Sequence, residues 1–360
     1  MSSNKQSIVI FTRYNRQSAS VRYRFLQYVH DMNMNNINVE LSYLFDDNFF
    51  KKKILLNKFN FINIFYQYLK RIIKIIFLNK NKIALIHLEL FPYLPAFGEK
   101  ILSIKKNLTV LDLDDAIFHQ YDQIKNPILS FFLKNKFNNI FNLPNFQIFS
   151  GNIYNINEIK KINPNIKSYI FPTVVNVPYY KKKSEVKKNR DFTIVWIGSP
   201  STSNYLKTIY RPLSILCNQH NIRLRLIGCG FLELEGIQFE SYMWNEDTEI
   251  ELISECHVGI MPLKNDDWSK GKCGFKLIQY MACAIPGIAS PIGVNNEIID
   301  NKINGFLANN DEDWVNYILK LKNDKKFYEN MSYQAYKKVF NYYSFDHQKK
   351  KFIDTIKNLS

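Results

Sequence analysis

Two doubly wound α/β domains are the fold this chain predicts, and three observations carry the prediction. Short apolar runs of strand character alternate with helix-like segments from one end to the other, the rhythm of parallel sheets covered on both faces. At 360 residues the chain has room for two ordinary cores. The charge is also split: residues 1–190 hold 29 Lys and Arg against 12 Asp and Glu, a net +17, whereas residues 191–360 hold 19 against 20, a net −1. One half is built to meet something anionic and the other is not.

The expected strands of the first half are Ser7–Phe11, Asn38–Tyr43, Ala84–Leu88, Thr109–Leu113, Gln147–Phe149 and Ser168–Phe171. Those of the second half are Phe192–Ile197, Arg223–Ile227, Gln238–Glu240, Val258–Met261, Gly287–Ala289 and Gly305–Leu307. Between them PYYKKKSEVKKNRD is charged and lacks apolar periodicity. It predicts domains over 1–178 and 192–344, a linker over 179–191, and a last helix over 345–360 that can return to the first domain. Ligands of such sheets bind beyond the carboxyl ends of the strands, so two facing domains would enclose a cleft.

Hydrophobic residues at 46% and aromatics at 15% exclude a disordered chain. Five cysteines without paired metal-like spacing read as reduced thiols. The start, MSSNKQSIVIFTRYN, lacks the apolar core of a secretory signal, and no uncharged apolar run reaches the ~18 residues of a membrane span. A cytoplasmic location is expected.

The segment from Gly259 to Glu297 is the most informative. It reads as a buried strand, a loop rich in Lys and Gly, and an amphipathic helix from Gly274 to Cys283 that Pro286 stops. A basic, glycine-containing loop feeding a helix N-terminus suits an anion, here a diphosphate. Gly271 and Gly274 are expected to let backbone approach that ligand, and Lys272 and Lys276, one turn apart, to reach it. Upstream, the strand ending in Trp196 runs into Gly198, Ser199, Pro200, Ser201 and Thr202, whose hydroxyls can cap a helix or hold phosphate oxygens.

The order WIGSPST, LRLIG, GIMPL, GKCGFKLIQYMA, SPIGVNNEII and NGFL resembles the nucleotide-binding domain of the glycosyltransferase family 4 group. SVRYR, HLELFP, LDLDDAIF, SGN and FPTVV extend the resemblance into the first half. It implies the GT-B fold of two facing Rossmann-like domains, and a nucleoside diphosphate sugar as donor. It also implies retention at the anomeric carbon, with the departing diphosphate helping to deprotonate the acceptor. The donor would lie against Gly198, Ser199, Ser201, Thr202, Gly271, Cys273, Gly274, Phe275 and Gln279. Two glutamates usual to the family fall at Gly271 and Gln279, and its usual Arg and Lys near Ser199 and Asn204. The countercharge is therefore expected from Lys272 and Lys276. No metal or cofactor is expected, although Asp112 and Asp114 form the D-x-D of the other glycosyltransferase fold.

Asp114 and Asp115, at a strand end, can accept a proton or bind sugar hydroxyls, and Asp115 can equally cap a helix. His87 and Glu89 hold a similar position. Ser20, Arg22 and Arg24 follow the first strand, where the arginines can clamp an acceptor phosphate or stand in solvent.

Residues 54–77 place Leu55, Phe59, Ile62, Tyr66, Leu69, Ile73 and Ile76 at helical spacing opposite Asn60, Asn63, Gln67, Lys70 and Lys74. Lys51–Lys53, Lys80 and Lys82 flank the stripe. A buried helix explains the stripe alone, whereas stripe and charge together favour rest on anionic lipid. No nucleic-acid motif accompanies the charge. The expected partners are a nucleotide sugar, a glycan or polyprenyl-diphosphate-linked acceptor, and an anionic membrane surface. Surface-polysaccharide synthesis is the expected setting. A GT-B epimerase and a non-catalytic basic binding protein are the alternatives.

Overall fold

The computed structural model describes residues 6–46 and 61–359. Two compact units emerge: Met1–Thr173 with Gly271–Cys273 and Lys349–Ser360, and Val174–Lys270 with Gly274–Gln348. Each is a parallel-sheet α/β fold, as the sequence predicts.

The first unit carries β1 (Gln6–Thr12), β2 (Ile37–Tyr43), β3 (Ile83–His87), β4 (Thr109–Leu113), β5 (Phe146–Ser150) and β6 (Ser168–Ile170). They pair in the order β2-β1-β3-β4-β5-β6, all in parallel. The strands β3, β4 and β5 are buried throughout, which is why their sequences read as unbroken apolar runs. The order reverses between β1 and β3, and there the connections diverge at the carboxyl ends. Residues from Lys349 onward belong to this unit, where the Phe352 ring stacks on Tyr28 at 4.2 Å and meets Phe149 and Phe171 edge-on.

Helix α1 (Phe61–Ile76) shows three faces rather than two. Ile64, Tyr68, Arg71 and Ile75, three or four residues apart, turn toward the sheet. Arg71 is 3% exposed and donates to the carbonyls of Thr12 (2.8 Å), Ser42 (2.7 Å) and Leu90 (3.3 Å). Burial lowers its pKa to about 9, so it stays charged at neutral pH. The expected apolar stripe lies on another face, and it is exposed: Ile62, Tyr66, Leu69, Ile73 and Ile76 all face solvent. Leu55, Phe59 and Lys51–Lys53 fall outside the described residues.

The second unit holds β7 (Thr193–Ile197), β8 (Arg223–Ile227), β9 (Glu240–Tyr242), β10 (Val258–Met261), β11 (Gly287–Ala289) and β12 (Gly305–Leu307). Their order, β12-β11-β10-β7-β8-β9, is that of dinucleotide-binding sheets, with its reversal between β7 and β10. Against the expected spans of this half, β7 starts one residue later and β9 both starts and ends two residues later. The first part of the expected linker is helical, and residues 184–191 carry no helix or strand. Asn176 caps helix α2 (Val177–Lys183), Pro178 sits in its first turn, and Tyr180 is fully buried. The lysine run hid that short helix, which buries only Val177 and Tyr180.

Helix α3 (Phe275–Ala282) locks the second reversal. The Tyr280 hydroxyl accepts from the Ile197 N–H at 3.1 Å and donates to the Ile260 carbonyl at 3.3 Å. Its ring lies so close on β10 that a Cβ at Gly259 would stand 2.2 Å from it. Glycine there is a packing requirement.

Two outcomes follow from these buried groups. Arg71→Ala leaves three carbonyls without their donor and should lower urea-measured stability by about 2 kcal/mol or more, while exposed Lys70→Ala changes it by less than ~0.5 kcal/mol. His257 Nδ1 accepts the Thr193 N–H at 3.1 Å, and burial, then Lys188, lowers its pKa from 6.5 to about 4. The unfolded chain therefore binds a proton first. This contribution is full above pH ~6.5 and is lost as pH falls toward ~4. His257→Asn, compared with the wild-type chain across that window, should flatten the slope.

Candidate functional site

In the second unit β7 delivers Gly198 to the reversal point. A Cβ there would lie 2.5 Å from the Trp196 ring and 2.9 Å from Lys276 Cε, so only glycine leaves the lysine its place. Lys276 Nζ sits 5.5 Å from the centre of that ring. Gly228, after β8, takes φ +74°, and a Cβ on it would stand 2.4 Å from the Gly198 carbonyl. Two strand ends thus close on one another through glycine. Beyond them Ser199, Ser201 and Thr202 form a capping turn: the Ser199 and Ser201 hydroxyls lie 2.8 Å apart, and Thr202 Oγ1 receives the Ser199 N–H at 3.3 Å. The hydroxyls stay at or near the surface, so capping and ligand contact remain compatible.

Helix α3 opens at Gly274 in the left-handed conformation, φ 67°. Lys272 precedes the helix, so the two lysines do not share a helical turn, and Gly274 is the reason. Gly274 does not open a path to a ligand either, because a Cβ would meet Ile298 at 2.3 Å and Val294 at 2.8 Å. Phe275, half-buried, starts the helix. Gln279 is buried and donates its amide to the Tyr180 hydroxyl at 3.1 Å, which commits part of the polar group expected to read a sugar hydroxyl. Trp196, Gly228 and Tyr180 were given no role in the sequence, although Trp196 and Gly228 stand in the quoted runs WIGSPST and LRLIG.

In the first unit the strand-end charges are largely spent on each other. Arg24, expected at an acceptor phosphate or in solvent, is buried in a π-helical turn and pairs with Asp112, at 3.0 Å from Nε, and with the Phe171 carbonyl. Arg22 is likewise buried and donates to the Arg16 carbonyl at 2.9 Å. Asp114 lies 3.2 Å from His87 Nε2. Burial would raise its pKa, but His87, Arg24 and the Ser20 hydroxyl outweigh burial and hold it well below the usual carboxylate range. A carboxylate so held is a poor proton acceptor at neutral pH. Asp115 is the least buried of the three aspartates.

Glu89 is a structural hub. It receives Arg13 at 2.8 Å, Lys136 at 2.5 Å and the Tyr121 hydroxyl at 2.6 Å, with Lys136 itself fully buried. Tyr121 in turn accepts the Tyr93 N–H at 3.1 Å. These bonds fix the turn after β3.

The segment Gly271–Cys273 packs within this unit. Asn152 Nδ2 donates to the carbonyls of Gly271 (2.9 Å) and Lys272 (3.2 Å), and the Cys273 N–H reaches Asp115 Oδ1 at 3.2 Å. A Cβ at Gly271 would stand 2.2 Å from Ala116 Cβ. The space a side chain at Gly271 would need is thus taken by protein. Lys272 is buried at 8% exposure. Among the described residues no helix is long and apolar enough to cross a membrane.

Comparison with known proteins places this geometry. Residues 180–338 match the family described as Glycosyl transferases group 1. A probable sucrose-phosphate synthase of Thermosipho melanesiensis is 32% identical over 83 residues, spanning 23% of this chain and 19% of that relative's length. A crystal structure of a glycosyltransferase from Rickettsia africae ESF-5 superimposes with TM-score 0.64 at 17% identity, covering 99% of both chains. Anabaena HepE in complex with UDP-glucose gives TM-score 0.69 at 12% identity, covering 98% of this chain and 99% of that one. At such identities the structural likeness speaks for the fold. The chain thus has the GT-B glycosyltransferase fold, and its residues 180–338 match the glycosyl transferases group 1 model.

Proposed function

We propose that this chain transfers a glycosyl unit from a nucleoside diphosphate sugar, a UDP-sugar in the first instance, to a hydroxyl of a lipid-linked glycan. The observation that carries the reading is the placement of Lys276 over Trp196 beside Gly198, at the strand-order reversal of the group 1 segment. A fixed cation and a helix N-terminus at that point suit the negative charge that grows on a departing diphosphate. The UDP-glucose bound by the Anabaena relative supports uracil as the base.

Retention at the anomeric carbon fits the same site, because stabilising a leaving group that itself takes the acceptor proton asks no strong base of the protein. The strand-end aspartates of the first unit are consistent with this. Asp115, the least buried of the three aspartates, is the carboxylate best placed to orient an acceptor hydroxyl. The net +17 of residues 1–190 and the exposed apolar stripe of α1 support work at an anionic membrane face.

The test is a thermal-shift panel of UDP, GDP and dTDP on the wild-type chain and on Lys276→Ala. UDP at 100 times its Kd should stabilise the wild-type protein by about 2.7 kcal/mol. Lys276→Ala should cut sugar transfer roughly 100-fold while changing unfolding free energy by less than ~1 kcal/mol. Wild-type turnover in the variant, or no response to any nucleoside diphosphate, rejects the reading.

A further inference from the structure

We propose that the first unit seats a single hydrocarbon chain, the aliphatic tail of a phosphate-bearing lipid acceptor, in the groove between α1 and the turn Pro92–Leu94. The proposal rests on the transferase reading and adds to it the place where the acceptor's lipid end is held.

The groove has a volume of about 520 Å³ and is walled chiefly by Tyr14, Phe45, Ile64, Tyr68, Ile72 and Leu94. Among the described residues Arg13 is the one charged residue on its lining. It lies past the ends of β1, β2 and β3, at the strand-order reversal of the first sheet, where ligands of such sheets bind. The second reversal point serves the donor in the reading above, so the first is the natural seat for the other substrate.

The walls are held in place by buried polar groups. Arg71 ties α1 to the ends of β1 and β2 and to Leu90, while Glu89, through Tyr121, holds the N–H of Tyr93. Tyr93 takes a left-handed φ of 58°, a strained state for an aromatic residue, and is 69% exposed at the groove. The Tyr68 hydroxyl donates to the Pro92 carbonyl at 2.9 Å and joins the two walls. The groove is thus preformed, as small-molecule sites usually are.

Its chemistry selects the occupant. A sugar would leave its hydroxyls unbonded against Ile64, Ile72 and Leu94, a costly burial. A hydrocarbon chain would not. The outer wall is formed by Phe61, Phe65 and Leu69, exposed by 80%, 71% and 43%, and these continue into the exposed Ile62, Tyr66 and Ile73 of the same helix. The apolar path therefore runs from the groove onto the face that would meet a bilayer. Arg13, whose Nη2 also pairs with Glu89 at 2.8 Å, is 24% exposed and has further guanidinium donors for a phosphate. The charge of this half suits the same anion.

The test uses farnesyl phosphate below its micelle concentration and calorimetric titration of the full chain. Wild-type protein should bind it, whereas inorganic phosphate alone should neither bind measurably nor compete. Phe65→Glu and Leu69→Glu, at exposed positions of the groove wall, should each weaken binding about 10-fold or more. Ile73→Glu, on the same exposed stripe but outside the groove, should bind farnesyl phosphate as the wild-type chain does while sedimenting less with anionic vesicles. The UDP thermal shift reports folding in every variant. Equal losses in Ile73→Glu and Leu69→Glu, or no binding by the wild-type chain, overturn the groove assignment. So does a concentration-dependent dimer that Leu69→Glu dissolves, which would make the groove a self-association surface. Failure of the UDP response with farnesyl phosphate binding intact would instead count against the transferase reading, so the two can fail separately.

Discussion

Where a parallel sheet reverses its strand order, the crossover connections part, and backbone groups at the strand ends need side-chain partners. Both sheets of this protein meet that constraint with one buried polar side chain each. In the first unit Arg71 reaches from α1 to the carbonyls of Thr12, Ser42 and Leu90. In the second, Tyr280 reaches from α3 to the Ile197 N–H and the Ile260 carbonyl. Leaving a buried backbone group unbonded costs about 1–3 kcal/mol, comparable to a sizeable share of a domain's net stability. The gaps that the candidate sites use exist because these two residues hold the strand ends apart in fixed positions.

The same accounting explains why so few charges near the first reversal are left for chemistry. A buried guanidinium or carboxylate needs a partner, because removing one member of such a pair costs about 3–5 kcal/mol. Arg24 takes Asp112, His87 takes Asp114, and Glu89 takes Arg13 and Lys136. These groups set the shape of the turns. In the second unit Lys276 also lies over an aromatic face, the Trp196 ring, a contact that helps fix where the ammonium stands.

Among the described residues the strands were legible where a short apolar run is bounded by turn residues, a pattern that parallel sheets impose, and least so at the mostly polar β9. The glycines were legible as landmarks but not in purpose. Gly274 and Gly271 read as openings for a ligand, whereas their missing Cβ makes room for Ile298 and Ala116. Charge was the least legible property. Arg22, Arg24 and Arg71 look alike in a sequence with 48 Lys and Arg, and only tertiary contacts reveal that all three are buried. The stripe of α1 was read correctly as periodic, yet periodicity does not say which apolar face is covered. Here the covered face runs through Ile64, Tyr68, Arg71 and Ile75, and the stripe itself is open.

Gly271 carries the last step. It stands where the family's common pattern has a carboxylate, and a Cβ there would fall 2.2 Å from Ala116 Cβ and 2.7 Å from Asn155 Oδ1. No side chain fits without displacing backbone-anchored neighbours, since Asn155 N is itself bonded to Asn152 at 3.0 Å and Asn152 Nδ2 to the Gly271 carbonyl at 2.9 Å. The carboxylate is therefore not merely absent; the space it would need is filled. A site lacking that group holds less negative charge around a diphosphate, so a single well-placed lysine does proportionately more to neutralise the ligand. In the function proposed above, that shifts the weight of donor binding onto Lys276 and the glycine-paired ends of β7 and β8, and away from the loop that the sequence made most conspicuous.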